Sequence, residues 1–268
     1  MLKRLFLALA LVALSVTASA QSYYSVTGLV GFGAGGETYA PGAVTFDGIN
    51  DYMRRGADLT GNTDGKTGTV SYWVKFNGDG AEINVYSNTG GRHRFYRTAG
   101  NKILFRGQTV AGANILVLTS TTSIVAASGW THVLASWNLA TPEAYLYING
   151  TDDEAAGSTE TNATIERTVA NHSVGDDVGG SGLLNADIAD LWISWEYVDI
   201  TQAANRAKFI SASGKPVDLG ADGSVPTGTA PIMYFRHVTG AAATDFATNL
   251  GGGGNFSITG ALVEATGP

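Results

Sequence analysis

The stretch GWTHVLASWNLATPEAYLYINGT, Gly129 to Thr151, decides the reading of the fold. It holds two runs, WTHVLASWN and EAYLYING, rich in aromatic and branched residues and parted by turn residues. Successive side chains of a strand point to opposite faces, so such runs read as half-buried β-strands. In the second run Leu146 and Ile148 share one face, and Tyr145, Tyr147 and Asn149 share the other. With Leu146 and Ile148 turned to a core, the two tyrosines stand about 7 Å apart as a shelf on an open sheet surface. The alternative is that they pack beneath a loop.

Working outward, short alternating runs recur every ten or so positions from Ala43 onward, the pattern of a sandwich or barrel. In TVSYWVKFN, Val70, Tyr72, Val74 and Phe76 point one way, while Ser71, Trp73 and Lys75 point the other. RFYRTAGNKILFRG reads as a hairpin turning at Ala99-Gly100-Asn101. NILVLTST, IADLWISWEYV, APIMYFRH and NFSITGALV extend the series, and so many strands imply two packed sheets. One segment departs from it. In DITQAANRAKFIS, Thr201 can cap a short helix whose Ala203, Ala204, Ala207 and Ile210 recur at helical spacing and form a packing cap. Residues 212–231, rich in Gly, Pro and Asp, read as a long surface loop. The few strands after it are too few for a core of their own and complete the same sandwich.

The chain opens with Lys3 and Arg4, an apolar run from Leu5 to Val16, and Ala18-Ser19-Ala20, which predicts an export signal cleaved after Ala20. The apolar run is shorter than the roughly 20 residues that span a bilayer, so no stable membrane insertion is expected after cleavage. The expected organisation is a signal at 1–20, an N-terminal segment at 21–42 and one domain at 43–268. Cysteine is absent, and a core of this size needs no disulfide. The formal charge of −7 becomes −9 once Lys3 and Arg4 leave with the signal. An acidic chain is repelled by phosphate backbones, which disfavours nucleic acid as a partner.

Within VTFDGINDYMRRG, Val44 to Gly56, a strand-like run stops at Asp47-Gly48 and resumes at Tyr52. A hairpin-like reversal explains it: Gly48 and Asn50 accept positive φ, and Asp47 bonds its own downstream backbone. Ca²⁺ is the alternative, because it takes six to eight oxygen ligands. Asp47, Asn50 and Asp51 offer such oxygens, as do Asp176 and Asp177 in VGDDVGGSG, although neither loop has EF-hand spacing.

Four segments read together carry a resemblance: VTFDGINDYMRRG, GTVSYWVKF, GWTHVLASWNLATPEAYLYINGT and ADIADLWISWEYVDITQAANRAKFI. Their order and intervals resemble the laminin G-like, or pentraxin-like, domains of the concanavalin A-like lectin/glucanase superfamily. Trp130, His132-Val133 and Leu146-Tyr147-Ile148-Asn149-Gly150 look like the paired strands W-x-H-V and L-Y-V-N-G of that family. The resemblance implies an all-β, two-sheet antiparallel jelly-roll sandwich, here with one short helix. The closing portion, residues 208–235, is similar to tails of such domains in bacterial and prophage-encoded proteins. The family's G-x-I-D-E strand is replaced here by Ala186-Asp187-Ile188-Ala189-Asp190, which puts a structural calcium site in doubt.

Some superfamily members are glycoside hydrolases. Retaining hydrolysis needs two carboxyl groups about 5 to 5.5 Å apart, and the superfamily's glucanases place them as E-x-D-x-x-E on one strand. No such run exists here. Asp187 and Asp190 are three apart, an odd offset that sends side chains to opposite faces unless a bulge intervenes. The four histidines, His93, His132, His172 and His237, form no H-E-x-x-H pair. His132, in the W-x-H-V strand, reads as a structural histidine. The hairpin from Arg92 to Arg106 supplies a basic cluster, Arg94, Tyr96, Arg97 and Arg106, that could grip an anionic glycan or pair with nearby acids.

The expectation is therefore an exported, non-catalytic module holding a glycan or cell-surface polysaccharide on a sheet or its rim loops, with Ca²⁺ assisting in one version. Tyr145, Tyr147, Asn149, Arg94, Tyr96 and Arg106 are its candidate contacts. A structural or adhesive protein of a cell or virion surface, with a protein partner, is the alternative, and a hydrolase is the third. Secretion to the medium, the periplasm or an outer surface are all left open.

Overall fold

The computed structural model describes residues 39–268. The expected export signal and most of the N-terminal segment lie outside them. In chain order the first strands are β1 (Ala43–Asp47), β2 (Tyr52–Arg55), β3 (Thr67–Phe76), β4 (Ile83–Asn88), β5 (His93–Arg97) and β6 (Lys102–Gln108). Next come β7 (Asn114–Ser123), β8 (Thr131–Asn138), β9 (Glu143–Ile148), β10 (Thr151–Asp152), β11 (Thr159–Glu160), β12 (His172–Val174) and β13 (Asn185–Ser194). Helix α1 (Ala203–Arg206) and three short strands, β14 (Met233–Phe235), β15 (Ser257–Thr259) and β16 (Val263–Ala265), complete the series.

These strands form two antiparallel sheets. The first runs β10-β9-β8-β3-β13-β1-β16, with β14 also paired to β13, and the second runs β11-β7-β6-β5-β4-β12-β2-β15. The fold is the expected all-β jelly-roll sandwich with a single short α-helix among the described residues. The closing strands complete both sheets: β14 and β16 join the first and β15 the second. No helix among the described residues is long and apolar enough to cross a membrane.

Local alternation accounts for the core between the sheets. Val70, Tyr72, Val74 and Phe76 of β3 and Leu146 and Ile148 of β9 enter it, facing Phe95, Ile103, Phe105 and Leu118 of the second sheet. Burying such side chains is worth about 1.5 to 3 kcal/mol each. The hairpin turn falls where expected, with Asn101 taking the left-handed conformation at φ 61°.

Two local readings are corrected. The Asp47–Asp51 turn is no hairpin, because β1 lies in the first sheet and β2 in the second. It is a corner between layers. Gly48 has the positive φ (73°) and Asn50 does not, while Asp47 Oδ1 accepts the amide protons of Ile49 and Asn50 at 2.8 and 3.1 Å. In the helical segment, Ala203, Ala204 and Ala207 are exposed, and it is Phe209 and Ile210 that dock. Thr201 does not cap α1: its hydroxyl donates to Asp199 Oδ1 at 2.5 Å, and the guanidinium of Arg206 bonds the carbonyls of Ile200 and Thr201.

The segment after β13 roofs the outer face of the first sheet. Leu134, Tyr147 and Trp192 of that face pack with Val198, Ile200, Phe209, Leu219 and Tyr234 in a second apolar cluster. The indole of Trp192 donates to the carbonyl of Gly223 at 2.8 Å, fastening the long loop onto the sheet. The outer face of the second sheet carries no comparable apolar cluster among the described residues.

Candidate functional site

On β5 the alternation splits the basic hairpin in two. His93, Phe95 and Arg97 turn inward, and the Arg97 guanidinium lies 4.2 Å from the ring centre of Phe76. Arg97 thus leaves the expected surface cluster, because its place in the strand points it at the core. Arg94 and Tyr96 turn outward. Strand register then builds a polar row across the open sheet: Ser173 opposes both Arg54 and Ser87, Ser87 opposes Arg94, and Arg94 opposes Arg106.

Ser87, Gly90, Gly91, Arg94, Arg106 and Asp177 line a groove of about 260 Å³ in this row. Arg94 lies 4.0 Å over the Tyr96 ring, donates to Asn84 and pairs with Glu82 at 2.6 Å. These contacts fix the plane of its guanidinium. Arg106 donates from Nη2 to the Gly91 carbonyl at 3.0 Å. Partial burial disfavours its charged form and lowers its pKa. Asp177 accepts the amide protons of Gly179 and Ser181 at 2.8 and 2.9 Å on Oδ1 alone. The pair Gly90-Gly91 and the buried Ser87 were not singled out in the sequence, although the TGG turn beside a basic strand was visible there. A hollow of about 320 Å³ near the last residues has Glu264 as its one ionisable side chain.

The other expected contacts lie on the opposite sheet. Tyr145, Tyr147 and Asn149 do share the outer face of β9, but the shelf is not open. Tyr147 is 7% exposed, with the Arg206 guanidinium 4.7 Å over its ring. Tyr145 is half-buried against the same cluster. Asn149 takes φ 51° and accepts the His132 amide proton on its side chain at 2.8 Å, so it shapes the turn after β9.

Of the candidate calcium ligands, Asp51 and Asp176 have both carboxylate oxygens engaged by hydrogen-bond donors. Asp51, 2% exposed, accepts from the amides of Ala261 at 2.7 Å and Asp47 at 3.1 Å, one on each oxygen. Asp176 accepts from Ser173, Arg54, and the amides of Val178 and Gly180. Amide bonds from Ile49 and Asn50 hold the Asp47 carboxyl below its usual pKa. Asn50 and Asp177 sit beside these groups without joining them into an oxygen cage. Hydrogen bonds thus engage both oxygens of Asp51 and of Asp176, while Asp47 and Asp177 accept amide protons on Oδ1 alone. Among the described residues no three His, Asp or Glu side chains gather as a metal site.

A bulge does intervene in β13, between Ala189 and Trp192. It brings Asp190 to the outer face that Asp187 occupies, contrary to the odd-offset expectation. The two carboxyls still belong to separate networks. Asp187 is held by Thr45, Lys75 and Asn77 at 2.7, 2.9 and 3.2 Å. Asp190, at φ 47° and 2% exposed, has the Tyr39 hydroxyl 2.9 and 3.0 Å from its two oxygens and that of Tyr234 at 3.5 Å. Burial pushes its pKa up to about 7. The sequence named Asp190 and allowed for a bulge, but residue spacing carries no signature that one is present.

His93, His132 and His172 are buried. His132 is buried, contacts Ser71 Oγ at 2.9 Å and stacks near Trp73, and burial lowers its pKa to about 3. His172 lies between the Tyr86 hydroxyl at 2.8 Å and Asp58 at 3.1 Å. His93 sits among Tyr86, Phe95, Trp137 and Trp195.

A family model described as the concanavalin A-like lectin/glucanases superfamily matches residues 47–198. Among solved structures the chain is similar to a native heptameric SAP-like pentraxin from Limulus polyphemus, at 14% identity and a TM-score of 0.53. That likeness covers 85% of this chain and 96% of the pentraxin. It is also similar to a candidate carbohydrate binding protein from Bacteroides ovatus, at 12% identity and a TM-score of 0.54, over 85% of this chain and 60% of that one. At these identities the likeness is one of fold. No curated protein matches the sequence.

Proposed function

Because this chain belongs to the concanavalin A-like lectin/glucanase superfamily, we propose that it is a non-catalytic carbohydrate-recognition domain that holds its glycan on the outer face of the second sheet. One observation carries the reading: residues after β13 roof the first sheet, whereas among the described residues the outer face of the second carries no comparable apolar cluster and holds a groove lined by polar side chains. A sugar hydroxyl both donates and accepts hydrogen bonds, so its site needs both kinds of partner. Arg94 and Arg106 supply donors, and Asp177 and Ser87 supply acceptors. The expected export signal would place this face outside the cytoplasm, where polysaccharides are met. The separate bonding of Asp187 and Asp190 supports a binding role over hydrolysis, and the N–H donors around Asp51 and Asp176 support binding without calcium.

A glycan array tests this. Binding to a defined sugar class, abolished by Arg94→Ala and untouched by Tyr145→Ala, is the expected result. Loss with Tyr145→Ala alone would return the site to the first sheet. A blank array across all sugar classes would favour a protein-contact role, and release of reducing ends from polysaccharide would mark a hydrolase.

A further inference from the structure

Four arginines reach the outer face of the second sheet, and three have an acid of their own. Arg54 pairs with Asp176, Arg92 with Glu166 at 3.1 Å, and Arg94 with Glu82 at 2.6 Å. Arg106 has no carboxylate within 4.0 Å among the described residues. Its single bond is the one from Nη2 to the Gly91 carbonyl, and its buried Nε has no partner. A guanidinium carries five donors and keeps its charge in proteins. Here it is kept in an acidic chain of formal charge −7 without an internal counter-ion.

The neighbouring turn is shaped around this group. Gly91 has φ +63°, and a Cβ there would lie 2.8 Å from Arg106 Nη2, so a side chain at 91 would displace the guanidinium. The turn closes against Arg106 because glycine stands there. Across the groove Asp177 spends Oδ1 on two amides and offers Oδ2. The volume of about 260 Å³ lies below the roughly 300 Å³ at which pockets for drug-sized ligands begin, which suits one ring rather than a large molecule.

We propose, building on the glycan reading above, that this groove takes an acidic sugar residue. Arg106 and Arg94 bind its ring carboxylate, and Asp177 accepts a hydroxyl of the same residue. A planar carboxylate matches the guanidinium fork and supplies the missing counter-charge. The acid wall at Asp177 disfavours a multiply charged anion such as a phosphate monoester, while it favours a ring rich in hydroxyl donors. Glu82 is half-exposed, so it can yield Arg94 to a ligand carboxylate without leaving a buried charge unpaired.

The test is calorimetric titration of the full chain with a uronic-acid oligosaccharide and with its carboxyl-reduced counterpart, in which CH₂OH replaces each carboxylate. The acidic form is expected to bind at least tenfold tighter, with affinity falling as salt rises. Arg106→Gln should erase that preference. Arg106→Lys keeps the charge but not the fork, retains part of it, and serves if the glutamine variant does not fold. Equal affinity for the two oligosaccharides overturns the acidic-sugar assignment and leaves glycan recognition standing. A preference that persists undiminished in both variants, or stronger binding of a sulfated neutral oligosaccharide, also overturns it. Failure of every glycan to bind removes the underlying reading as well.

Discussion

Replacing Asp190 by Asn should make the protein more stable, and only above mildly acidic pH. Asp190 is buried at the β13 bulge beside Tyr39 and Tyr234, with Arg236 and Asp218 as the charged groups nearby. Arg236 is already engaged, at 3.3 Å from Asp218. Burial raises the carboxyl from its ordinary 3.8 to about 7, more than its hydrogen bonds and Arg236 can offset. Between those two values an unfolded chain ionises Asp190 while the folded protein still holds the proton, so wild-type stability falls as pH rises through this window. Above pH 7 the penalty is complete, at roughly 4 kcal/mol. Asn keeps an acceptor oxygen for Tyr39 and tolerates the left-handed backbone at φ 47°. It carries no charge, though its amide must find a place. A net gain of roughly 2 kcal/mol at pH 8 would raise the melting temperature by about 4 to 8 °C in a chain of this size. The assay is thermal unfolding of both proteins from pH 4 to pH 8. The two melting curves should meet near pH 4 and separate progressively to pH 7. An Asp190→Asn protein no more stable than wild type at pH 8, or a gap independent of pH, would refute the reasoning.

Three further predictions concern stability. Trp192→Ala removes a fully buried indole and its bond to Gly223; it should cost about 3 to 5 kcal/mol, read as a lower urea midpoint, with the loop at 212–231 becoming sensitive to protease. Asp51→Ala removes the acceptor of the Asp47 and Ala261 amides and should cost roughly 1 to 3 kcal/mol. Adding calcium or a chelator should leave the melting temperature of the wild type unchanged within about 1 °C, since a ligand of the folded state would raise it; a calcium-dependent rise would revive the cation reading of these loops.

Much of the sandwich was legible in the sequence because the signal is short-ranged. In TVSYWVKF and AYLYI a period of two assigns each side chain to a face within a few residues, and the structure keeps those assignments. The same rule carried Arg94, Tyr96 and Arg106 to one surface. It also could have shown that Arg97, an odd step from Arg94, lies on the other side; reading the hairpin as one basic cluster overlooked that. In the helical segment the short helix is present but its expected alanine face is not the one that packs. Of the stripe Ala203, Ala204, Ala207 and Ile210 only Ile210 is buried, and Phe209, outside the stripe, docks with it.

What the sequence determined by itself was therefore the alternation, most of the longer strands and the all-β class, since these follow from contacts within one strand or one turn; β4 (Ile83–Asn88) was not read from it. Which face of each sheet meets solvent depended on residues some sixty positions away: Phe209 and Arg206 reach back over Tyr147. The Asp47–Asp51 corner, the bulge that turns Asp190 outward and the register that sets Arg106 beside Arg94 are likewise pairings between distant segments. Such pairings are chosen by how whole layers pack, where many small burial gains add up, and no local pattern records the sum.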